Sequence, residues 1–350
     1  MDKLKLTNRS GQAVEIEAGS GLREVMARKY GSKEANTASS TAYKRYLSEN
    51  GVTIKDVVRG LGFEDIGTVN VRALLENDGT KPLFNAIVED GLRMGFERQS
   101  NWSQLVAQTV NSDQLSQQWY YLDTPEDDYD LRDIGQGAPI PTGQIQLGDQ
   151  SIKMHKRGRG IEWTDEAKRA NIDMVQLWLQ KLGKQLGKQY ENVAVDRLLN
   201  GYFADGFDAA PTLGVQTAGT LTLGDIFYSA KYQEQELGFT PNLAIMNLNT
   251  AFQVTNLRDN GSYVYKQELQ KGNYASILAN QPFISNQVPD NRIVLVDTNF
   301  ALVRYSGKGF GVESERSAKT QVEGSYGTEI SEFVPFEKNA RLIMTLDSAR

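Results

Sequence analysis

Hydrophobic residues in the middle of the chain recur at intervals of three and four, the spacing of one face of an α-helix. The longest such run extends from Ile172 to Leu198 and is followed by Asn200-Gly201, a pair typical of a helix C-terminus. Roughly 30 residues at about 1.5 Å each predict a helix about 45 Å long. Gly183 and Gly187 lie on one face of it, so either another backbone packs closely there or the helix bends.

The pattern after Gly201 is mixed, with short apolar runs between helical ones. It predicts helices over 222–237 and 249–257 and buried strands over 243–247 and 293–297. The last 50 or so residues alternate between apolar and polar positions, which predicts a strand-rich ending. Before the long helix, apolar residues between Leu83 and Val110 predict one or two further helices. The fold class expected is therefore α+β.

A two-stranded element is predicted between these regions. Residues 144–147 and 152–156 alternate with period two on either side of Gly148-Asp149, which indicates a hairpin with its turn at that pair. An isolated hairpin buries little of itself and is only marginally stable. We therefore expect something outside the subunit's own core to hold it, and Ile145 and Leu147 are candidate contact residues between subunits.

Composition excludes several kinds of chemistry. The 350 residues contain no cysteine, which removes disulfides, thiolate metal sites and cysteine nucleophiles. The single histidine, His155, excludes multi-histidine metal sites and makes a histidine-based triad improbable on counting alone. The chain has no apolar stretch of membrane-spanning length and starts without a secretory signal. We expect a soluble protein made in the cytoplasm, with room for about two domains.

Charge is concentrated in two segments of opposite sign. The net charge is −6, yet residues 153–159 form a basic run, and residues 123–133 are acidic and follow an aromatic stretch. The basic run is open to three interpretations: a contact with the acidic segment of a neighbouring subunit, a solvated face, or a nucleic-acid patch. The candidate inter-subunit residues in these segments are Trp119, Tyr120, Asp127, Asp128, Asp130, Lys153, Lys156, Arg157 and Arg159.

No motif predicts catalysis or a cofactor. The acidic segment could be read as a calcium or magnesium site, or as the carboxylates of a hydrolase, but its spacing does not match an EF-hand loop. Gly183-Lys-Gln-Leu-Gly187 lacks the spacing of a phosphate loop and lies inside the predicted helix. We therefore expect no catalytic residue, no cofactor and no bound metal.

The order of these elements resembles that of a known family. The residues that suggest it are Ile134–Trp163 leading into Thr164-Asp165-Glu166-Ala167, the helix end Asp196–Gly201, the segment Gly238–Asn247, and the strand Asn339–Met344. Together they resemble tailed-bacteriophage major capsid proteins of the Hong Kong 97 type. The resemblance covers about residues 100–350. It rests on the order of the elements and on short stretches of similar residue types rather than on a specific motif.

The resemblance implies a Hong Kong 97-type capsid fold with an N-terminal arm, an extended β-hairpin loop, a long spine helix and a mixed α/β axial domain. Its division of the chain is an N-terminal extension at 1–80, the arm at 81–133, the extended loop at 134–163, the peripheral domain with the spine helix at 164–204, the axial domain at 205–318, peripheral strands at 319–339, and a C-terminal axial strand at 340–350.

The resemblance also implies a function. It is that of a major capsid protein, which assembles with itself into the hexamers and pentamers of an icosahedral shell around double-stranded DNA, without sequence-specific binding and without a membrane. Portal, scaffolding or decoration proteins are the further partners, and the location is the virion, assembled in the host cytoplasm. Three alternatives stay open: an encapsulin-like compartment, a carboxylate-based metal-dependent hydrolase, and a nucleic-acid-binding protein.

We predict that this shell is not covalently crosslinked. Some members of the family join a lysine of the extended loop to an asparagine of a neighbour, but residues 135–151 contain no lysine, and Lys153 and Lys156 come after them. Denaturing electrophoresis of mature particles should therefore give one band near 39 kDa. A ladder of multimers would refute the prediction.

Overall fold

The computed structural model has nine α-helices, a short 3₁₀-helix (Trp102–Leu105) and fifteen strands within the described residues. The described residues are 3–8, 12–17, 20–30, 40–63, 69, 71–75, 80–99, 101–112, 114, 116–123, 133–134, 136, 144–164, 172–204, 206, 208–259, 261–278, 280–317 and 322–350. None of the helices in these ranges is long and apolar enough to cross a membrane.

The helices alternate with strands only in the second half of the chain. The helices are α1 (Ser20–Tyr30), α2 (Ser40–Glu49), α3 (Ile54–Gly60), α4 (Val71–Leu75), α5 (Lys81–Gln99), α6 (Ile172–Asn200), α7 (Leu223–Gln235), α8 (Leu248–Thr255) and α9 (Lys266–Lys271). The strands are β1 (Lys3–Thr7), β2 (Ala13–Glu17), β3 (Gln108–Asn111), β4 (Ser116–Asp123), β5 (Gln144–Lys153), β6 (His155–Trp163), β7 (Thr212–Val215), β8 (Leu243–Met246), β9 (Arg258–Asp259), β10 (Ser262–Tyr263), β11 (Phe283–Ile284), β12 (Arg292–Val296), β13 (Leu302–Ser317), β14 (Val322–Pro335) and β15 (Arg341–Ala349).

The N-terminal 80 residues share a core with the rest of the chain. β1 and β2 form an antiparallel pair, and the buried side chains Ile16, Leu22 and Tyr46 belong to the same apolar cluster as Leu83 of α5 and Leu179 of α6. The apolar faces of these short elements are covered by α5 and α6 as well as by each other. The division of the chain at residue 80 stays a prediction.

Helices α5 and α6 pack with their backbones unusually close, because glycines lie between them. A Cβ atom added at Gly183 of α6 would overlap the carbonyl oxygen of Leu92, and one added at Gly95 of α5 would overlap that of Gln180. Of the two explanations that the sequence left open for Gly183, close backbone packing is therefore confirmed. Gly187 is buried one turn later, and a bend of α6 at these two glycines stays a prediction.

Replacing Gly183 with alanine should destabilise the subunit by about 1–3 kcal/mol, although alanine is the better helix former. The added methyl group has to push α5 away from α6, and backbone cannot yield as a flexible side chain would. Urea denaturation measures the difference. The matched control is Gln185→Ala on the exposed face of the same helix, which should change stability by less than about 0.5 kcal/mol. Equal stability of the two variants would contradict this account of the packing.

A four-stranded sheet lies against α5 and α6, in the order β3-β13-β14-β6. The predicted hairpin with a turn at Gly148-Asp149 is wrong. β5 runs without interruption through that pair, and its partner is β4, not β6. β6 turns away after Met154 and pairs with β14. The two-stranded element is therefore built from β4 and β5, and the segment that joins them lies largely outside the described residues.

The second half of the chain forms a five-stranded sheet in the order β11-β8-β12-β15-β7. Its strands are apolar on both faces, so alternate residues enter two different cores. Val294 and Ile343 pack towards the C-terminal part of α6, whereas Ile293 and Met344 pack towards α7 and α8. Helix α6 ends as predicted at Asn200, followed by a glycine with a φ of 79°. Residues 201–211 then lead from the long helix to β7, the first strand of this sheet along the chain.

Candidate functional site

The four aromatic and aliphatic candidate contact residues lie on the β4–β5 strand pair. Tyr120 is opposite Leu147, and Ile145 is opposite Leu122 in the ladder, while Trp119 lies at an irregularity in its register. The structure describes these positions through their backbones. β4 and β5 pair only with each other among the described strands. The candidates Asp127, Asp128 and Asp130 lie outside the described residues.

The basic run divides into exposed side chains and one that is engaged within the chain. The side chains of Lys153, Lys156 and Arg159 are exposed. Arg157 instead donates from Nη1 to the carbonyl oxygen of Ser331 at 2.5 Å. Arg157 therefore has a partner within its own subunit. The contact of Lys153, Lys156, Arg157 and Arg159 with a neighbouring subunit stays a prediction.

A buried carboxylate explains the position of Arg157. Glu332 of β14 is fully buried, and its Oε2 lies 2.7 Å from Nη2 of Arg157 and 2.6 Å from Nδ1 of His155. Its other oxygen lies 3.5 Å from Nε of Arg197 on α6. A buried carboxylate without such partners would cost several kcal/mol. Glu332 therefore ties β6, β14 and the end of α6 together, and sequence reasoning, which gave His155 no role, missed it.

The junction between β5 and β6 has a second anchor. The backbone N–H of Lys153 donates to the Tyr202 hydroxyl oxygen at 2.8 Å, and that hydroxyl donates back to the Lys153 carbonyl at 3.2 Å. Next to it, Ile152 is fully buried against Phe203 and Val334. Tyr202 and Phe203, which come just after Gly201 at the end of α6, therefore hold the base of the β4–β5 strand pair, while Glu332 fixes the start of β6.

A second buried carboxylate, Glu329, lies earlier on the same strand as Glu332. Glu329 pairs with Arg304 of β13 and accepts a hydrogen bond of 2.6 Å from the Tyr190 hydroxyl. Burial, followed by the charge of Glu329, raises the pKa of Tyr190 above its usual range. The guanidinium of Arg304 also stacks 4.8 Å from the centre of the Trp102 ring. Trp102 also packs against Tyr190 of the long helix, with 6.4 Å between the ring centres.

The described residues contain no group of three histidine or acidic side chains placed to hold a metal ion. A cavity of about 560 Å³ opens between α5, α6 and the β13–β14 pair, and two glutamates line it. Glu89 pairs with Lys44 at 2.9 Å, and Glu329 is held by Arg304 and Tyr190. Both carboxylates therefore already have partners. The acidic segment that suggested a hydrolase lies mostly outside the described residues.

Large apolar side chains are exposed on α7 and α8, which cover one face of the five-stranded sheet. Phe227 on α7 is 67% exposed and Phe252 on α8 is 65% exposed, and Leu223, Tyr228 and Leu248 beside them are also exposed. A soluble subunit rarely keeps several large apolar groups in water unless a partner covers them. The 3.6-residue periodicity of both helices was visible in the sequence. The sequence did not show which of their apolar residues would lie outside the core.

The sequence pattern of a family described as phage capsid protein matches residues 148–332, just over half of the 350-residue chain. The match includes α6, most of the five-stranded sheet and both buried carboxylates. It leaves out the N-terminal extension and the strand β4. No protein of curated function matches the chain in sequence.

Solved structures resemble the fold at low sequence identity. The capsid of a native GTA particle has a TM-score of 0.53 and 14% identity, with 73% of this chain and 91% of that chain covered. A virus-like particle from Pyrococcus furiosus has a TM-score of 0.52 and 8% identity, with 75% and 99% covered. The protein of Mycobacterium phage Bobi has a TM-score of 0.50 and 15% identity, with 71% and 90% covered. The chain therefore shares a fold with capsid proteins.

Proposed function

The chain belongs to the phage capsid protein family, and we propose that it is the major capsid protein that assembles with itself into an icosahedral shell around a double-stranded DNA genome. The observation that carries this proposal is the family match over residues 148–332. The fold shared with capsid proteins supports it. The role is structural: the subunit supplies surfaces, and the shell arises from repetition of the same contacts.

We further propose that the elements of the fold have the roles that they have in capsid proteins of the Hong Kong 97 type. α6 is the spine helix, β4 and β5 form the extended loop that reaches a neighbouring subunit, and the five-stranded sheet belongs to the axial domain at the centre of hexamers and pentamers. The two anchors at the base of β5 and β6 support this, because they fix the direction in which the strand pair leaves the subunit. Trp119, Tyr120, Ile145 and Leu147 are then the contact residues of the loop.

Many modest contacts suffice for such a shell. Exposed charge pairs contribute about 0–1 kcal/mol each, so Lys153, Lys156 and Arg159 would fix the register of a contact more than its strength. The shell is completed by a portal and, in some relatives, by scaffolding or decoration proteins, and it forms in the host cytoplasm before becoming part of the virion. A compartment that encloses protein is the second candidate, supported by the likeness to the virus-like particle. Nucleic acid extracted from purified particles distinguishes the two.

Replacing Phe227 with glutamate should abolish shell formation while leaving the subunit folded. The side chain is 67% exposed, so its replacement costs the isolated subunit less than about 0.5 kcal/mol, whereas a carboxylate in a contact between subunits would be buried without a partner. Sedimentation and negative-stain microscopy measure assembly. Gln235→Glu, which adds the same charge to an exposed position of α7, is the control and should assemble normally. Normal shells from both variants would exclude α7 as a contact surface.

A further inference from the structure

The solvent-facing side of α6 carries an unusual set of side chains. Between residues 181 and 189 the exposed positions are Lys181, Lys184, Gln185, Lys188 and Gln189. We call the three lysines the lysine stripe. All five side chains can donate hydrogen bonds, and none of them is a carboxylate. The stripe lies opposite the face of α6 that packs against α5.

The helix places the three ammonium groups in a row. Positions separated by three and four residues lie on one face, and at a rise of about 1.5 Å per residue the stripe spans about 10 Å. One strand of a DNA duplex presents a phosphate about every 3.4 Å along the helix axis. The row therefore extends over about three successive phosphates of one strand.

Within the part of the chain that the structure describes, the charge of the stripe is balanced only in part. Among the described residues, no carboxylate lies within ion-pair distance of any of the three lysines. Glu191, one turn beyond Lys188, has a pKa that burial raises and that the charge of Lys188 lowers in part. Like charges three and four residues apart destabilise a helix by about 0.2–0.5 kcal/mol per pair. A face that serves only for solubility usually alternates acidic with basic residues, as the Lys231–Glu234 pair does on α7.

We propose that the lysine stripe binds the phosphodiester backbone of double-stranded nucleic acid without reading its sequence. This inference rests on the proposed function, because a shell subunit needs a surface that meets the enclosed genome. Lysine binds phosphate as a point charge, and glutamine amides add donors to phosphate oxygens. An acidic segment of another protein would also be attracted to the three lysines. Leu177 and Trp178 are exposed one turn before Lys181 and give that end of the face the apolar character of a protein interface. From Lys181 to Gln189 the exposed positions are all lysine or glutamine, and their charge and hydrogen-bond donors favour phosphate.

The test measures binding of the full-length, unassembled subunit to a fluorescent duplex of about 20 base pairs between 50 and 200 mM salt. The variant Lys181→Gln/Lys184→Gln/Lys188→Gln removes the stripe. The control Lys153→Gln/Lys156→Gln/Arg159→Gln removes three exposed positive charges from β5 and β6, so the two variants have equal net charge. If the stripe contacts three phosphates, the wild-type affinity should fall about 40-fold over this salt range, and the control should behave alike. The affinity of the stripe variant should fall less than about threefold over the same range.

Two results would overturn the proposal. Binding by the stripe variant that equals wild type would exclude phosphate contacts and leave an acidic protein segment as the occupant. An equal loss in both variants would show that overall charge, not the stripe, attracts the duplex. Microscopy of the same variants under assembly conditions keeps this test separate from the proposed function. If shells form normally but the stripe variant binds the duplex as well as wild type does, only the proposal that the stripe binds DNA is contradicted. If the stripe variant loses binding but no protein forms shells, only the proposed shell function is contradicted.

Discussion

Replacing Arg341 with methionine should lower the free energy of unfolding of the subunit by about 3–5 kcal/mol. The side chain is fully buried, and its Nη1 donates to the carbonyl oxygens of Arg197 at 3.0 Å and Leu198 at 3.1 Å, while Nη2 donates to that of Asp208 at 2.5 Å. The first two carbonyls belong to the last turn of α6 and have no partner within the helix, although that of Arg197 also accepts from the N–H of Gly201 at 3.0 Å. Burial lowers the pKa of Arg341 to about 10, so the group is charged at neutral pH. Its positive charge interacts favourably with the negative end of the helix dipole.

Methionine has a similar length but leaves three buried carbonyl oxygens without this donor. Urea denaturation followed by circular dichroism measures the change in stability. The control is Arg292→Met, because Arg292 is exposed at the start of a neighbouring strand and its replacement should cost less than about 0.5 kcal/mol. A cost at Arg341 no greater than at Arg292 would contradict the view that this arginine joins the long helix to the five-stranded sheet.

Replacing Glu332 with glutamine should cost about 3 kcal/mol and loosen the base of the β4–β5 strand pair. Glutamine keeps the shape of the side chain but removes the negative charge that balances Arg157 and helps to balance Arg197. Both stability and local opening are informative. Hydrogen exchange over residues 152–158 should speed up by more than the global change in stability explains, because His155 and Arg157, which the carboxylate holds, lie within that segment.

The control for Glu332 is Glu313→Gln on β13. Glu313 pairs with Lys308 at 3.2 Å, but both side chains are about half exposed, so the cost should stay below about 1 kcal/mol. If Glu332→Gln costs no more than this control, the buried charges do not hold the strand pair. If it costs stability but leaves exchange over 152–158 unchanged, the carboxylate stabilises the subunit without anchoring β6.

Local patterns in the sequence were sufficient for the long helix and for two central strands of the sheet in the second half. The predicted run from Ile172 ends at Asn200 as expected, because a period of 3.6 residues and a glycine at the C-terminus are local signals. The predicted strands at 243–247 and 293–297 differ by a single residue from Leu243–Met246 and Arg292–Val296. Short apolar runs between polar turns define buried strands without knowledge of their partners.

Partners distant in the chain could not be read in the same way. β5 alternates as a hairpin strand should, but its partner β4 lies more than 20 residues earlier, and alternation does not reveal which strand pairs with which. The Glu332–Arg157 pair joins residues 175 positions apart. No composition or spacing predicts that one of many arginines is balanced within its own subunit. The contact residues at Trp119 and Tyr120 stay predictions for the same reason, since they need a neighbour.

The account is tested most directly by expressing the whole chain, alone and together with candidate scaffold and portal proteins, and examining the products by electron microscopy. It predicts closed icosahedral shells of uniform size, which the Phe227→Glu variant does not form. A monodisperse monomer of 39.0 kDa under all of these conditions would contradict it.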